Sequence, residues 1–245
     1  MRQLDFLHCA AILVGGLGSR LGPLVAATPK PLLEVSGRPF LDYLLYWLAD
    51  HGCRRVVLLA GYLGEVVRER YGQGDFGPLA IDVLVEPRPL GTAGAVIAAL
   101  ERLPDEFLLL NGDSWFAIDP RCLAQAPSGP WSVGMALAEV EDVTRYGRVE
   151  LDAARRVRHF HEKGAGGPGM INAGIYRLRR DALRPFATAR SLETEVLPAL
   201  AASGMAWGWV GKGEFIDVGL PESLAFADNN ALKLFDKLKL FGKIV

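Results

Sequence analysis

A cluster of glycines and cations follows the first apolar run of the chain. Its members are Gly15, Gly16 and Gly18 after the run 10–14, and then Arg20 and Lys30. Glycines after a strand let the backbone approach a ligand closely, and consecutive exposed N–H groups form a nest for anions. A glycine cluster alone would indicate an ordinary strand-to-helix turn. Because Arg20 and Lys30 add two positive charges, the loop is typical of a site for a ligand with several phosphates.

The spacing of these residues excludes two well-known phosphate-binding loops. The Walker pattern ends in Gly-Lys-Ser or Gly-Lys-Thr, and no such tripeptide occurs in the chain. The dinucleotide-binding pattern needs a third glycine three residues after the second, and that position holds Leu21. What remains is the pattern Gly-Gly-x-Gly-x-Arg-Leu followed by Pro-Lys-Pro.

Two aspartates are candidates for holding a metal ion beside such phosphates. Asp113 follows the apolar run 107–111, and Asp217 lies in Phe-Ile-Asp-Val-Gly at 215–219. Mg²⁺ is commonly held by one or two carboxylates together with substrate phosphates and water. Either aspartate alone is equally well explained as a turn-forming or helix-capping residue. Taken together, the two predict a Mg²⁺ site.

The glycine loop resembles the signature of the sugar-1-phosphate nucleotidylyltransferases, also called nucleotide-sugar pyrophosphorylases. Further segments of the family follow in the family's order, and the resemblance extends from Cys9 to Ser223. They are Glu-Pro-Arg-Pro-Leu-Gly-Thr-Ala-Gly at 86–94, Asn-Gly-Asp at 111–113, Tyr-Gly at 146–147, Glu-Lys at 162–163, Asn-Ala-Gly at 172–174 and Asp-Val-Gly at 217–219. One departure is Leu220, where threonine is common, so a hydroxyl contact from this position is absent.

This resemblance implies a role for each matching residue. The residues expected to bind the nucleotide are Leu13, Gly15, Gly16, Gly18, Ser19, Arg20, Lys30, Glu86, Gly91, Thr92 and Gly112. Those expected to bind the sugar phosphate are Tyr146, Gly147, Glu162, Lys163, Asn172 and Gly174. Asp113 and Asp217 are the expected Mg²⁺ ligands. The expected catalytic residues are Arg20, Lys30, Asp113 and Lys163.

Within the family, the chain most resembles the D-glycero-D-manno-heptose 1-phosphate guanylyltransferases. The residues that carry this resemblance are 86–94, 139–143 before Arg-Tyr-Gly at 145–147, and Glu-Lys at 162–163. It implies GTP and D-glycero-α-D-manno-heptose 1-phosphate as substrates, for capsule, lipopolysaccharide or S-layer glycan precursors. A mannose-1-phosphate guanylyltransferase, or a relative that uses UTP or dTTP, is the alternative.

Two other classes of protein, glycosyltransferases and regulatory homologues, are alternatives to the transferase. A glycosyltransferase typically shows Asp-x-Asp after a strand, whereas this chain has Asn-Gly-Asp at 111–113. A regulatory homologue that only binds nucleotide sugar would be expected to lose Arg20, Lys30 or a metal ligand. Because the chain keeps all of them, the sequence favours the transferase.

Apolar runs alternate with helix-like stretches in the first half of the chain. The pattern predicts strands over 9–14, 55–60, 81–85 and 107–111, and helices over 39–51, 64–71 and 92–103. This alternation predicts a mostly parallel sheet with helices on both faces. Ligands bind such sheets at the carboxyl ends of the strands, where the glycine loop and Asp113 are expected to lie.

The second half of the chain reads as strands with few helices between them. The predicted strands are 131–140, 147–151, 156–161 and 171–177, which indicates an antiparallel addition. The predicted fold is an α/β, Rossmann-like three-layer αβα sandwich with a mostly parallel mixed sheet and a small antiparallel sugar-binding subdomain. We expect one domain, 1–245, with a nucleotide-binding part at about 1–112, a sugar-phosphate-binding part at about 113–220 and a C-terminal helix at about 221–245.

Composition agrees with a compact cytoplasmic enzyme. Half of the 245 residues are hydrophobic and 22% are charged, enough apolar material for a substantial core. The net charge of −1 argues against a nucleic-acid partner. The three cysteines fit neither a disulfide framework nor a zinc site, which favours a reducing compartment. No run of residues is long and apolar enough for a membrane span, and no secretory signal is expected.

The C-terminal residues show helical periodicity. Apolar residues recur at spacings of three and four from Leu224 to Phe241, which describes one face of a helix. The first two turns are expected to pack on their own domain. For the part from Leu234 to Val245, self-association into a homo-oligomer is predicted, with peripheral membrane contact as a weaker alternative.

Overall fold

The computed structural model describes residues 2–73, 76–126, 130–164, 166–235 and 238. Its strands are β1 (Cys9–Leu13), β2 (Glu34–Val35), β3 (Arg38–Pro39), β4 (Arg55–Ala60), β5 (Ala80–Val85), β6 (Glu106–Asn111), β7 (Ser114–Phe116), β8 (Val133–Val140), β9 (Val149–Leu151), β10 (Val157–Phe160), β11 (Gly169–Arg179), β12 (Ala206–Gly211) and β13 (Phe215–Asp217). Its α-helices are α1 (Phe40–Asp50), α2 (Gly64–Tyr71), α3 (Gly91–Ala98), α4 (Arg180–Leu183), α5 (Leu197–Ala202), α6 (Pro221–Asn229) and α7 (Ala231–Phe235). A π-helix, Leu192–Val196, leads directly into α5.

A seven-stranded sheet in the order β12-β8-β11-β6-β1-β4-β5 forms the centre of the domain. Its strands run parallel except for β11, which pairs antiparallel with both β6 and β8. The predicted mostly parallel mixed sheet is confirmed. The antiparallel strand lies inside this central sheet. Three small pairs among the described residues, β2 with β3, β7 with β13 and β9 with β10, are separate from it.

Two apolar cores lie on opposite faces of the sheet because successive strand residues point to opposite sides. In β1, Ala10 and Ile12 belong to one core, and Cys9 and Ala11 belong to the other. Helices α1 and α2 cover the first face, and α3 and α5 cover the second. This arrangement confirms the three-layer αβα sandwich.

The strands and helices predicted for the first half are confirmed. Their bounds agree within one residue, except that α3 ends at Ala98 and a 3₁₀ turn, Leu100–Arg102, completes the predicted helix. In the second half, the predicted strands are present as β8 to β11. The prediction omits β2, β3, β7, β12, β13, α4 and the helical segment from Leu192 to Ala202.

The C-terminal segment forms two helices where one is predicted. Helix α6 ends at Asn229 and α7 begins at Ala231, and Asn230 between them has φ of −117°, outside the helical region. The predicted helical face continues to Phe241, but residues 236, 237 and 239–245 lie outside the described residues.

The beginning of the predicted self-association segment packs inside the domain. Leu234, Phe235 and Leu238 are buried, and the Phe235 ring stacks on Tyr43 with centroids 4.0 Å apart. The interpretation that the chain serves self-association from Leu234 onward is therefore wrong for these three residues. Homo-oligomerisation itself stays a prediction. In the described part of the chain, no helix is long and apolar enough to cross a membrane.

Candidate active site

Four loops converge at one edge of the central sheet. Strands β1, β4, β5 and β6 are parallel, so their carboxyl ends lie together there. Leu13 at the end of β1 pairs with Asn111 at the end of β6, and the Gly112 N–H donates to the Leu13 carbonyl oxygen over 3.0 Å. The glycine loop after β1 and Asp113 after β6 are therefore adjacent.

The glycine loop is shaped by close backbone packing. A Cβ atom at Gly15 would lie 2.8 Å from the backbone nitrogen of Gly61, so the loops after β1 and β4 touch directly. Gly18 has φ of 61°, a left-handed conformation that favours glycine. A Cβ atom at Gly16 would meet nothing within 4 Å, because this residue lines an open cavity. The loop thus presents bare backbone to that cavity.

This cavity, which we call the nucleotide cavity, has a volume of about 410 Å³ and lies between the glycine loop and the loop after β5. The predicted nucleotide-binding residues that line it are Leu13, Gly15, Gly16, Glu86, Gly91 and Thr92. Apolar walls with few polar groups suit a flat ring such as a nucleobase. Among the described lining residues the half-buried Glu86 is the one carboxylate, and its Oε2 accepts the Leu90 N–H over 2.9 Å.

The start of α3 is held by a distant segment of the chain. Gly91 has φ of 79° and packs on the backbone of Arg190, and the Ala93 N–H donates to the Arg190 carbonyl over 3.1 Å. The Thr92 hydroxyl donates to Glu193 Oε2 over 2.8 Å and accepts the Leu192 N–H over 2.9 Å. The first residues of α3 therefore direct part of their hydrogen-bonding capacity at the protein itself.

Four charged side chains meet beside the glycine loop: those of Arg20, Lys30, Asp113 and Asp217. Lys30 Nζ donates to Asp113 Oδ2 and lies 3.4 Å from Asp217 Oδ1. The two aspartates are brought together by pairing of β7 with β13, in which Asp217 lies opposite Ser114, and by the Val218 N–H, which donates to the Asp113 carbonyl over 3.0 Å. The Lys30 side chain is only 7% exposed, so its ion pairs are poorly screened by water.

Three charged groups lie close to the Cβ position of Gly219. A Cβ there would lie 2.6 Å from Asp217 Oδ1, 3.0 Å from Lys30 Nζ and 3.2 Å from Arg20 Nη2. Arg20, itself exposed, thus reaches the same cluster from the glycine loop. Any side chain at position 219 would displace one of the three groups.

We expect Gly219→Ala to lower turnover at least about tenfold with little loss of fold, since the misplacement of catalytic groups by about 1 Å is costly. Steady-state kinetics and circular dichroism measure the two effects. Gly204→Ala is the control for glycine replacement: Gly204 lies between α5 and β12, with open space at its Cβ position but a φ of 69°. Its expected cost is in stability alone. Unchanged turnover in Gly219→Ala would contradict the packing described.

The pair of carboxylates fits a Mg²⁺ ion. Asp113 and Asp217 direct oxygens at one point, where the Lys30 ammonium is their shared cationic partner. Hard carboxylate oxygens from two residues, completed by phosphate oxygens and water, are the usual donor set for Mg²⁺. In the described part of the chain, no group of three or more His, Cys, Asp or Glu side chains forms a metal site. The metal would thus depend on substrate for its remaining ligands.

A second cavity, which we call the sugar cavity, has a volume of about 700 Å³ and lies on the other side of Asp113. The predicted sugar-phosphate residues that line it are Tyr146, Gly147, Glu162, Lys163 and Asn172, and both aspartates of the charge cluster line it too. A smaller cavity of about 170 Å³, lined by Lys30, Thr92 and Asp113 among others, lies between it and the nucleotide cavity.

One wall of the sugar cavity is built from two chain segments whose backbones pack closely against each other. Gly147 has φ of 76° and packs on the His161 carbonyl, which holds the Tyr146–Gly147 turn against the segment with Glu162 and Lys163. Glu162 and Lys163 are exposed and free to face a substrate. Burial raises the pKa of Tyr146 above its ordinary value; the Arg145 charge opposes this shift and the Asp217 charge adds to it.

The opposite wall contains a bulge in β11. The register with β8 shifts between Asn172 and Tyr176, and Gly174, with φ of 73°, packs on the side chain of Asn111. Asn172 Nδ2 donates to the Tyr176 hydroxyl over 2.7 Å, and its Oδ1 accepts the Gly174 N–H over 3.0 Å. The Asn172 side chain is therefore fixed at the cavity wall, with its orientation set by both hydrogen bonds.

Glu193 contributes to the site although no motif in the sequence points to it. It lines both the sugar cavity and the small cavity beside Lys30, and Thr194 and Leu197 line the sugar cavity. A capping signal is present in the sequence: the Ser191 hydroxyl accepts the Thr194 N–H over 3.1 Å, and Glu195 accepts the Ser191 N–H over 2.9 Å. This capping signal indicates where a helix begins, but it does not indicate that the helix borders a cavity.

A sheet of this kind, with a glycine loop and carboxylates at the carboxyl ends of its strands, defines the class of αβα proteins that bind nucleotides. The chain belongs to one family of that class, the nucleotidyl transferases, because the family model matches residues 9–233. This match confirms the reaction class that the glycine loop and Pro-Lys-Pro suggest.

Within this family, the chain is similar to guanylyltransferases that act on sugar 1-phosphates. The chain is 35% identical over 214 residues to a D-glycero-alpha-D-manno-heptose 1-phosphate guanylyltransferase of Campylobacter jejuni, covering 87% of this chain and 95% of the relative. It is 36% identical to a mannose-1-phosphate guanylyltransferase of Mycobacterium tuberculosis, covering 87% of this chain and 61% of that protein. The crystal structure of HddC from Yersinia pseudotuberculosis complexed with GMP-PN superposes with a TM-score of 0.82 at 32% identity, covering 91% of this chain and 99% of HddC.

Proposed function

We propose that this protein joins D-glycero-α-D-manno-heptose 1-phosphate to GTP, giving GDP-heptose and pyrophosphate. The observation that carries the proposal is the cluster of Lys30, Asp113 and Asp217, which lines the space between the nucleotide cavity and the sugar cavity. Two anionic substrates bound in these cavities would meet at this cluster. The names of the relatives support the choice of sugar and base.

The chemistry requires alignment of the substrates more than proton transfer. A phosphate monoester has a second pKa of about 6, so a sugar 1-phosphate is already largely dianionic at neutral pH. One of its oxygens attacks the α-phosphorus of the nucleotide, the new P–O bond forms, and the bond to the β-phosphate oxygen breaks. The electron pair leaves with pyrophosphate. No general base is needed, and the described residues that line the three cavities include one histidine, His161, and no cysteine.

The residues of the chain hold and neutralise these anions. Backbone N–H groups of the glycine loop and the Arg20 guanidinium would bind the triphosphate and steady the departing pyrophosphate. Lys163 would bind the sugar phosphate, and Glu162 and Asn172 its hydroxyls. Lys30 would screen the approach of the two phosphates. Mg²⁺, held by Asp113 and Asp217, would supply charge neutralisation at the reacting phosphates.

A guanine base suits the nucleotide cavity. Guanine presents N1–H and its amino group as adjacent donors, and a carboxylate can accept both. Glu86 is half-buried at the cavity wall, with one oxygen already accepting the Leu90 N–H. Its remaining lone pairs and neighbouring backbone carbonyls would supply the acceptors. We place the reaction in the cytoplasm, where nucleoside triphosphates are available.

A screen of four nucleoside triphosphates against a panel of sugar 1-phosphates tests the proposal. We expect pyrophosphate release to be fastest with GTP and D-glycero-α-D-manno-heptose 1-phosphate, and slower with mannose 1-phosphate. Mannose 1-phosphate is the second candidate because of the similarity to mannose-1-phosphate guanylyltransferases. Equal turnover with UTP or dTTP would refute the guanine assignment, and preference for mannose 1-phosphate would refute the heptose assignment.

A further inference from the structure

Lys30 is held in place by the chain around it. It is buried and begins a 3₁₀ turn, Lys30–Leu32, in which prolines both precede and follow it. The Leu33 N–H donates to the Lys30 carbonyl over 3.1 Å, and the Leu32 N–H donates to the carbonyl of Pro29 over 2.8 Å. Because proline restricts the backbone, this turn anchors the stem of the lysine side chain.

The anchored side chain directs its ammonium group at the two carboxylates of the proposed metal site. Lys30 Nζ donates to Asp113 Oδ2 and lies 3.4 Å from Asp217 Oδ1. The side chains of Lys30 and Asp217 are 7% and 16% exposed, so the attraction between them is little screened, whereas the Asp113 side chain is 35% exposed and more open to water. Among the described residues, the ion pairs of both aspartates are those with Lys30.

We propose that Lys30 is a resident counter-ion that competes with a divalent cation for Asp113 and Asp217. This rests on the proposed function in one respect, since it takes these carboxylates as the metal site. An ammonium group and a divalent cation that contact the same carboxylate oxygens repel each other strongly. Metal binding therefore requires Lys30 to move away, and without nucleotide the protein binds a divalent cation weakly.

A nucleoside triphosphate would remove this competition. Lysine is a compact charge on a flexible four-carbon stem, and it commonly binds phosphates. Phosphate oxygens offer the Lys30 ammonium another anionic partner, and they also supply the metal ligands that two carboxylates leave open. Lys30 would thus act as a positioning residue that couples the binding of metal to the binding of nucleotide.

Mn²⁺ binding to the protein without nucleotide tests this coupling. Free Mn²⁺ is measured by electron paramagnetic resonance during titration of the wild type, Lys30→Gln and Lys163→Gln. Lys30→Gln removes the competing charge and should bind Mn²⁺ at least about tenfold more tightly than the wild type. The matched control Lys163→Gln removes an exposed cation that lines the sugar cavity and should bind as the wild type does. Equal or weaker binding by Lys30→Gln would overturn the proposal.

Two further variants cover the risk that Lys30→Gln folds poorly with two unpaired carboxylates. Lys30→Arg keeps the positive charge and should bind Mn²⁺ as weakly as the wild type, so tight binding by this variant would also overturn the proposal. In Lys30→Gln, the additional change Asp113→Asn should remove the gain in affinity if the ion lies at this site. Circular dichroism checks the fold of each variant.

The titration uses neither GTP nor a sugar phosphate. A wrong substrate assignment would therefore leave the Mn²⁺ result unchanged. Conversely, a correct substrate assignment with no effect of Lys30→Gln on Mn²⁺ affinity would reject the counter-ion role alone. The two proposals are thus tested separately.

Discussion

Asp113→Asn is expected to lower turnover by about a thousandfold or more while leaving the fold intact. Asparagine has the same shape but lacks the charge, so it weakens the hold on the metal and on the developing charge at the transferred phosphorus. A thousandfold loss corresponds to about 4 kcal/mol of barrier, the scale expected when charge stabilisation at a phosphoryl centre is removed. The measurement is kcat for pyrophosphate release at saturating Mg²⁺, with thermal unfolding as the check on the fold.

Asp105→Asn is the matched control for this substitution. Asp105 precedes β6, Asp113 follows it, and the Asp105 side chain is 86% exposed and pairs with Arg180. It therefore lies at the opposite end of the same strand, away from the charge cluster, and its replacement should leave turnover unchanged. EDTA should abolish the turnover of the wild type by removing the divalent cation. Full activity of Asp113→Asn in Mg²⁺ would disprove the metal assignment.

Local sequence signals are sufficient to predict where the nucleotide side of the site lies in the fold. The apolar run ending at Leu13, the glycines after it and the run before Asp113 each encode a strand followed by a loop. Because parallel strands bring their carboxyl ends to one edge, strand prediction alone places Gly15 and Asp113 near each other. The register of β1 with β6 bears this out, since Leu13 pairs with Asn111.

The charge cluster itself depends on contacts between distant segments. Strands β7 and β13 are only three residues long, too short to show a clear alternating pattern, and their pairing joins parts of the chain about 100 residues apart. Without that pairing, the sequence predicts two aspartates but not that Lys30 lies between them. The resemblance to the family supplies the roles of these residues, and the contacts supply their arrangement.

The segment around Glu193 shows a second limit of local reasoning. Its capping residue Ser191 signals a helix start, yet nothing local indicates that Glu193 accepts the Thr92 hydroxyl across about 100 residues of sequence.

The C-terminal helix shows the same limit in another form. Its periodicity marks an apolar face, but only the packing of Phe235 on Tyr43 shows that the face is covered by the chain's own core.

Lys163→Ala is expected to raise the apparent KM for the sugar 1-phosphate by about 10- to 100-fold, with a much smaller change for the nucleotide. The exposed Lys163 lines the sugar cavity together with Glu162, and it does not line the nucleotide cavity. Loss of a charge-assisted hydrogen bond of about 1.5–3 kcal/mol accounts for the magnitude. Steady-state kinetics with each substrate varied in turn measure the two constants.

Two comparisons make the Lys163 result specific. Lys212→Ala removes an 86% exposed lysine that lines neither proposed substrate cavity, and it should leave both constants unchanged. Lys30→Ala should act mainly on the nucleotide, because Lys30 begins its turn beside the glycine loop and lines the small cavity with Gly16. A larger effect of Lys163→Ala on the nucleotide than on the sugar phosphate would mean that the two cavities are assigned the wrong way round. If Lys163→Ala acts mainly on the sugar 1-phosphate and Lys30→Ala mainly on the nucleotide, the result supports the placement of the two lysines on either side of Asp113, where the two anionic substrates must meet.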